Sequence, residues 1–506
     1  MAENLSYQSY YTKSEPILDY MTGMLNLNPK DSIFEPCGGD GVFVDKILSI
    51  SPLAKIDIFE LNPEAVSILS KKYDSNENIH IKSTDTLLDE DIVTKRVRYN
   101  KIVGNPPYGA RNSEDKKDIL GKLYPNLYTK ESYTLFLYAC IECLEEHGVL
   151  SFIIPDTFLS LHRHIAIRQY ILQHTKIKEL SMFPSSYFPG INFGYANLCI
   201  ITLEKSSDVS ANMSNMFSIR TDFSKVEELN DPHKGKRKEY VQSDIYNNIS
   251  SAFFFNSSER IQELINDFMI RRIGDIADCV TGFYSGNDKA YLRPKDANQK
   301  NAKKYTIALE SDVFLNDLSE KQKVSGIEGD AHFVPIVKGG NKRYIKTNDW
   351  FMNWSTEAIA EYRASKKCRF QNSSFYFKKN GIAIPMIRSS RLTAALIDGR
   401  LFDQSIVGVF PYQKSLTKYL LAFFNSSVCT RLISAINPST NNSANYIKKI
   451  PFIIPSNEQL ESVNHTVSLL VNAIMDGAET AYFEDRLELM FEEIYDLREP
   501  LNLETL

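Results

Sequence analysis

The strongest constraint on the fold is a rhythm in the first 205 residues, where short apolar runs of strand length alternate with amphipathic helical stretches. The runs Ser32–Phe34, Ile56–Phe59, His80–Lys82, Lys101–Val103, Val149–Ile154 and Ala196–Leu203 read as strands. Between them, Val42–Ser49, Pro63–Lys72 and Tyr133–Glu145 carry helical periodicity. Strands separated by helices of this length imply βαβ units and a mostly parallel α/β sheet of Rossmann-like type. Such a sheet binds ligands at the carboxyl ends of its strands, so functional residues are expected just after each apolar run.

The first run leads into Glu35-Pro36-Cys37-Gly38-Gly39-Asp40-Gly41 and then a helical pattern. Glycines here permit a tight turn and close backbone approach to a ligand, although such a turn can also be purely structural. The second run ends at Glu60, a carboxylate placed to accept from two ribose hydroxyls. The third is followed by Ser83-Thr84-Asp85, where an acid can accept from an adenine amine. Either acid alone could be surface charge; at successive strand ends they favour an adenosine-type cofactor. The turn has no Gly-x-x-x-x-Gly-Lys-Ser/Thr pattern for a triphosphate and no clean Gly-x-Gly-x-x-Gly for a nicotinamide.

The fourth run opens onto Gly104-Asn105-Pro106-Pro107-Tyr108. Asn-Pro commonly marks a rigid turn, but two prolines between an Asn and an aromatic suit a narrower task. Proline fixes φ and removes an amide donor, leaving carbonyls to accept. The Asn105 side-chain oxygen and the Pro106 carbonyl can then both accept from one –NH₂ group, turning its nitrogen lone pair toward an electrophilic methyl. Tyr108 offers a ring face for a planar base, a stacking contact worth roughly 1–3 kcal/mol. A base edge normally inside a duplex would have to be flipped out to reach it. Positioning is then the main catalytic term, and no cysteine nucleophile is needed.

Taken in order, Glu35 to Gly41, Glu60, Asp85 and Asn105 to Tyr108 resemble the gamma class of DNA adenine-N6 methyltransferases, Taq methylase-like enzymes of restriction–modification systems. The resemblance covers residues 7–205. It implies a mostly parallel seven-stranded sheet, S-adenosyl-L-methionine as cofactor, and transfer of a methyl group to N6 of a flipped-out adenine in double-stranded DNA. It also implies a cofactor set of Thr12, Glu35, Cys37, Gly39, Glu60, Leu61, Asp85 and Asn105. Asn105, Pro106, Pro107 and Tyr108 form the catalytic loop. Glu131-Ser132-Tyr133, Gly148–Pro155 and Tyr187–Gly190 look like its later motifs, with Phe188 the match for a second base-contacting aromatic; Phe193 and Tyr195 stand close enough to keep that choice open. The insertion between Tyr108 and Tyr133, with Arg111, Lys116, Lys117 and Lys122, is either a DNA-backbone contact or a solvated loop.

Charge is unevenly spread along the chain. Residues 1–230 hold 23 basic and 30 acidic residues, 231–456 hold 33 and 21, and 457–506 hold 2 and 12. A middle section at +12 suggests a polyanion-binding surface, where the family places target recognition. The expected domains are therefore a catalytic domain over 1–230, a basic α+β recognition domain over 231–456, and its acidic helical end over 457–506. Ile273–Ala277, Thr281–Asn287 and Val337–Tyr344 resemble segments of such recognition regions, and Leu421–Ser426 with Ile450–Pro455 their closing part. Lys338, Lys342, Arg343, Lys366, Lys367 and Arg369 are candidates for phosphate contacts. Arg388 and Arg391 are candidates to read guanine, though each could equally sit in a salt bridge.

Ordinary composition, 43% hydrophobic and 24% charged, fits a soluble globular protein. No apolar stretch of membrane-spanning length is present, and the start lacks a secretory pattern. Seven irregularly spaced cysteines point to a reducing cytoplasm. Cys140 and Cys143 read as core residues, and no metal site is expected. The same loop would suit a protein glutamine amide or an RNA adenine, and an inactive DNA-binding relative is the other class; the basic middle section favours DNA. With the resemblance beginning near residue 7 and leaving no room for an N-terminal nuclease, a monomeric modification enzyme with a separate cognate restriction endonuclease is expected.

Overall fold

The computed structural model describes residues 12–498 except 109–111, 188–196 and the single positions 256, 341, 371, 389 and 438. The chain forms two compact units, residues 1–255 and 256–506.

The first unit begins with helix α1 (Glu15–Leu25) and then alternates strand and helix: β1 (Ser32–Glu35), α2 (Val42–Ile50), β2 (Lys55–Glu60), α3 (Pro63–Lys72), β3 (Ile79–Ser83), α4 (Glu90–Val93), β4 (Tyr99–Gly104), α5 (Glu114–Leu123), α6 (Tyr133–Glu142), β5 (Leu144–Pro155), α7 (Ile165–His174), β6 (Thr175–Pro184), β7 (Asn197–Lys205), β8 (Met216–Thr221) and β9 (Lys236–Val241). The sheet order is β3-β2-β1-β4-β5-β7-β6-β8-β9. β1 to β5 run parallel, while β7 lies antiparallel between β5 and β6. All six expected strands are present, and the sheet holds nine strands rather than seven. β8 and β9 add the extra edge, β8 parallel to β6 and β9 antiparallel to β8.

β6 has no simple alternating signature because a carboxylate points inward from it. Glu179 is 9% exposed and accepts from Tyr20 Oη at 2.5 Å, Ser218 Oγ at 3.0 Å and Arg220 Nη1 at 3.3 Å. A buried charge is tolerable when paired and hydrogen-bonded in this way, but its sequence reads as a polar interruption. The same β6–β8–β9 edge explains why the division between units falls at residue 255 and not near 230. Met216–Thr221 and Lys236–Val241 pair in register across six residues, so the basic run Lys236-Arg237-Lys238 belongs to the edge of the first unit's sheet. Cys140 and Cys143 lie in its core, both fully buried.

The second unit contains two four-stranded sheets and a helical end. Ala277–Thr281, Ile406–Pro411, Ile382–Pro385 and Ala395–Leu396 make one sheet; Leu292–Pro294, Trp350–Asn353, Phe333–Val337 and Leu401–Phe402 make the other. An aromatic cluster built on Phe283, Trp354, Tyr362 and Tyr376 fills the core of this unit. The acidic end folds as helices Asn457–Met475 and Ala481–Ile494 within the same unit. Phe423 stacks on Tyr495 at 5.1 Å between centroids, and Tyr419 meets Phe491 edge-on at 5.2 Å. Among the described residues no single helix is long and apolar enough to cross a membrane.

Candidate active site

The carboxyl ends of β1 to β4 converge on one site because parallel strands present their ends at the same edge. At the end of β1 the backbone turns sharply. Gly39 has φ +55°, and a Cβ on Gly38 would lie 2.3 Å from Ile58 Cγ2, so a side chain there would collide with the neighbouring strand. Three hydrogen bonds fix the turn. Gly38 N–H donates to the Phe59 carbonyl at 3.0 Å, Gly39 N–H donates to Glu60 Oε2 at 2.8 Å, and Thr86 Oγ1 donates to the Pro36 carbonyl at 2.5 Å.

Glu60 therefore has a double task. Besides Gly39, its other oxygen accepts from Asn62 N–H at 2.7 Å, and the side chain is buried. Each carboxylate oxygen retains a second lone pair, so a hydroxyl donor can still be accommodated. Leu61, next along, is 45% exposed and presents an apolar flank. Glu35 at the end of β1 is 1% exposed, and its Oε2 is buried with no hydrogen-bond partner among the described residues. Burial, reinforced by the negative charges of Glu60 and Asp40, holds its carboxyl well above the usual carboxylate range. Burial likewise pushes the Cys37 thiol up, with Glu35 and Glu60 adding to the effect, while the Asn105 backbone N–H donates to it.

Asn105 itself is held by the N-terminal segment. Its Nδ2 donates to Thr12 Oγ1 at 3.2 Å, and Thr12 is buried. Residues 93 positions apart are thus brought together at the loop Asn105 to Tyr108. Tyr108 follows with its ring buried. Asp85 lies past the end of β3; its Oδ1 accepts from Leu87 N–H at 3.2 Å and its Oδ2 from Lys116 Nζ at 2.6 Å. Phe188, Phe193 and Tyr195 lie outside the described residues. Among the described residues no group of three or more His, Cys, Asp or Glu could hold a metal ion.

Residues 46–188 match the Eco57I restriction-modification methylase family. The matched residues lie within the first unit. The chain is similar to the type II methyltransferase M.HindII of Haemophilus influenzae, at 25% identity over 310 residues that span 57% of this chain and 56% of that protein. It is similar to the modification methylase CviBIII of Paramecium bursaria Chlorella virus NC1A, at 39% identity over 146 residues, 28% of this chain and 36% of that one. The matched stretches thus span between about a third and just over half of those two relatives. In fold it resembles the type ISP restriction-modification enzyme LlaBIII solved bound to DNA, with a TM-score of 0.56, 12% identity, and coverage of 92% of this chain and 39% of that one.

S-adenosyl-L-methionine is the cofactor of a methylase segment on this fold, and the residues present fit it. The group is a sulfonium cation that also carries an amino group, and the buried, unpartnered Glu35 oxygen beside the glycine turn is an acceptor in want of such a donor. Glu60 with Leu61 beside it would hold the ribose and one flank of the adenine. Thr86 and Tyr73 complete the cradle and were not singled out in the sequence. Tyr73 lies a helix away in the chain, yet its hydroxyl donates to the Gly41 carbonyl at 2.9 Å. Thr86 had one available signal, a second hydroxyl directly after Asp85.

The second unit treats its expected contact residues differently. Lys338 pairs with Asp403 at 3.0 Å and Lys342 with Asp349 at 3.3 Å. Arg343 pairs with Glu484 at 2.6 Å, and Arg391 pairs with Glu488 and donates to the Asn425 carbonyl at 2.7 Å. Arg388 is 8% exposed and donates to Ser434 and to the Asn437 carbonyl. All five are engaged inside their own unit, two of them by the acidic helix Ala481–Ile494. Lys366, Lys367 and Arg369, by contrast, are exposed, and no carboxylate pairs with them among the described residues.

Proposed function

We propose that this chain transfers a methyl group from S-adenosyl-L-methionine to N6 of an adenine flipped out of duplex DNA. One observation carries the reading: Asn105, first residue of an Asn-Pro-Pro-Tyr loop, is fixed through Nδ2 by Thr12 beside the glycine turn and Glu35. That bond turns the amide oxygen away from Thr12.

S-adenosyl-L-methionine, when bound, supplies an electrophilic methyl on sulfur. The chain's own residues do the rest. The Asn105 amide oxygen and the Pro106 carbonyl hold both hydrogens of an exocyclic amine. A held amine cannot delocalise its lone pair as freely into the ring, so the nitrogen becomes the nucleophile. Pro106 and Pro107 bring no N–H of their own to compete for those acceptors. Tyr108 is buried, so stacking a base on its ring requires the surrounding chain to open. Preorganised acceptors of this kind contribute mainly by positioning.

The likeness to restriction-modification methylases and to an enzyme solved on DNA supports duplex DNA as the carrier of the amine. Within the second unit, residues 256–456 hold 29 basic against 18 acidic residues, and Lys366, Lys367 and Arg369 are the phosphate contacts this reading favours. We assign cleavage to a separate endonuclease and activity to the monomer; magnesium-dependent cutting of unmethylated DNA by this chain would contradict the first. The direct test supplies labelled cofactor together with duplex DNA, RNA and protein. Label in the duplex alone is expected; label in RNA or in glutamine side chains would overturn the choice of substrate. Retained DNA binding with no label anywhere would mark an inactive relative.

A further inference from the structure

The insertion after the catalytic loop is tied back onto the cofactor end of β3. Ser113 caps helix α5 by accepting from Lys116 N–H, and Leu120 on the same helix is fully buried. Lys116, in its first turn, reaches Asp85 with Nζ 2.6 Å from Oδ2; the two side chains are 28% and 18% exposed. A second tie lies alongside. Tyr124, just past the helix, donates from its hydroxyl to the Leu87 carbonyl at 2.8 Å. The base of the insertion is closed by Asn112, whose Nδ2 donates to the Thr129 carbonyl at 2.8 Å and whose Oδ1 accepts from Ser132.

Both ties land on Asp85–Leu87. With Leu87 N–H on one oxygen and an ammonium on the other, both oxygens of the Asp85 carboxylate are already engaged. A partly buried ammonium–carboxylate hydrogen bond is a stronger contact than the one a neutral aromatic amine makes. Each Asp85 oxygen keeps a second lone pair, but an adenine amine reaching for it competes with an ammonium that already neutralises the carboxylate.

We propose that Lys116 is the residue that sets cofactor affinity in this chain, by competing with the cofactor's adenine amine for Asp85. The inference rests on the reading above that an adenosine-type cofactor uses Asp85. Lys116 touches neither the methyl group nor the target base, so it leaves the chemistry at Asn105 alone. Binding of the cofactor releases α5 from Asp85, and the ion pair re-forms when the cofactor leaves.

Calorimetric titration of the full chain with S-adenosyl-L-homocysteine tests this without turnover. Lys116→Met, which keeps the stem and removes the charge, is expected to tighten binding about tenfold. Wild-type affinity is expected to rise with added salt as the ion pair is screened, and the variant's to lose that rise. Hydrogen exchange gives a second readout on the wild type: amides of Ser113–Tyr124 are expected to exchange faster with ligand bound. Unchanged or weaker binding by Lys116→Met, or slower exchange in α5 on binding, would overturn the proposal while leaving the cofactor assignment standing. Failure of wild type and variant alike to bind would overturn the cofactor assignment, and this inference with it.

Discussion

The two units use their charged residues in opposite ways. In the first, residues singled out for chemistry are drawn together although they are scattered over the chain: Thr12 meets Asn105, and Glu60 meets Gly39. In the second, five of the eight lysines and arginines singled out for DNA are engaged by partners of their own unit, and the acidic helix Ala481–Ile494 neutralises two of them. Across residues 256–506 the unit holds 31 basic and 30 acidic residues, so the strong positive charge of a sequence block becomes near neutrality once its acidic end folds onto it. Strand-end motifs encode position, because the sheet dictates where a strand must end. A charge excess encodes only composition, and folding decides which charges remain for a partner.

The largest effect that could break this contrast lies in the first unit. Asn105→Ala is expected to lower kcat about a hundredfold or more, the scale for removing a preorganised group that acts in a transition state, with cofactor affinity changed less than about tenfold. Single-turnover methylation alongside cofactor titration reads both; near-normal turnover would end the assigned role. Glu60→Ala should act the other way round, weakening cofactor binding by about tenfold to a hundredfold, since one to two charge-assisted hydrogen bonds at about 1.5–3 kcal/mol are at stake. Part of that weakening comes from the turn itself, because Glu60 also holds Gly39 and Asn62.

A smaller and more specific effect follows from Glu35. Its carboxyl is raised by burial and by Glu60 and Asp40, so the ligand-free protein keeps a proton there to higher pH than an ordinary carboxyl would. A cationic ligand favours the ionised form, and binding should release that proton. Cofactor affinity is thus expected to climb with pH from the ordinary carboxylate range upward, until Glu35 is ionised in the free protein. The sign for stability is opposite: a carboxyl raised in the folded state favours folding at low pH, and that contribution fades as pH rises past its unfolded value. Glu35→Gln should flatten the climb in affinity, and a slope unaltered by the substitution would sever the link.

The second unit supplies the smallest effects and the sharpest discrimination. Arg343→Ala removes a partly buried ion pair and should lower the unit's stability by about 1–3 kcal/mol, yet change DNA affinity less than about threefold. Replacing Lys366, Lys367 and Arg369 together by Ala should instead leave stability within about 1 kcal/mol and flatten the salt dependence of DNA binding by close to one unit of slope for each phosphate that is no longer neutralised. If Arg343→Ala flattened the slope and the triple variant did not, the inward-drawn residues would be the ones that meet DNA after all.

What the sequence disclosed follows the same division. Six strands and the glycine turn after β1 were legible because apolar runs ending in Glu35, Glu60 and Gly104 leave few alternatives for a parallel sheet. β6 was hidden by Glu179, whose buried pairing with Tyr20, Ser218 and Arg220 depends on residues up to 159 positions away. Residues 206–245 read as a connection with some β structure near Phe217–Arg220, where β8 lies, while β9 was hidden because Lys236–Lys238 look like solvated charge, which on an edge strand they are. Asp85 was placed correctly at its strand end, but its partner Lys116 was not, since nothing local in the insertion says that helix α5 turns back. Arg388 and Arg391 had the right chemistry for base edges; the Asn425, Asn437 and Ser434 groups that engage them lie 34 to 49 residues on.

The central claim is that the loop Asn105 to Tyr108 methylates the exocyclic nitrogen of adenine. Enzymatic digestion of duplex DNA after incubation with the full chain and labelled cofactor, followed by nucleoside analysis, tests it most directly. The account predicts label in N6-methyl-2′-deoxyadenosine, abolished by Asn105→Ala. Label in a methylated cytosine, or in adenine at any position other than N6, would contradict it.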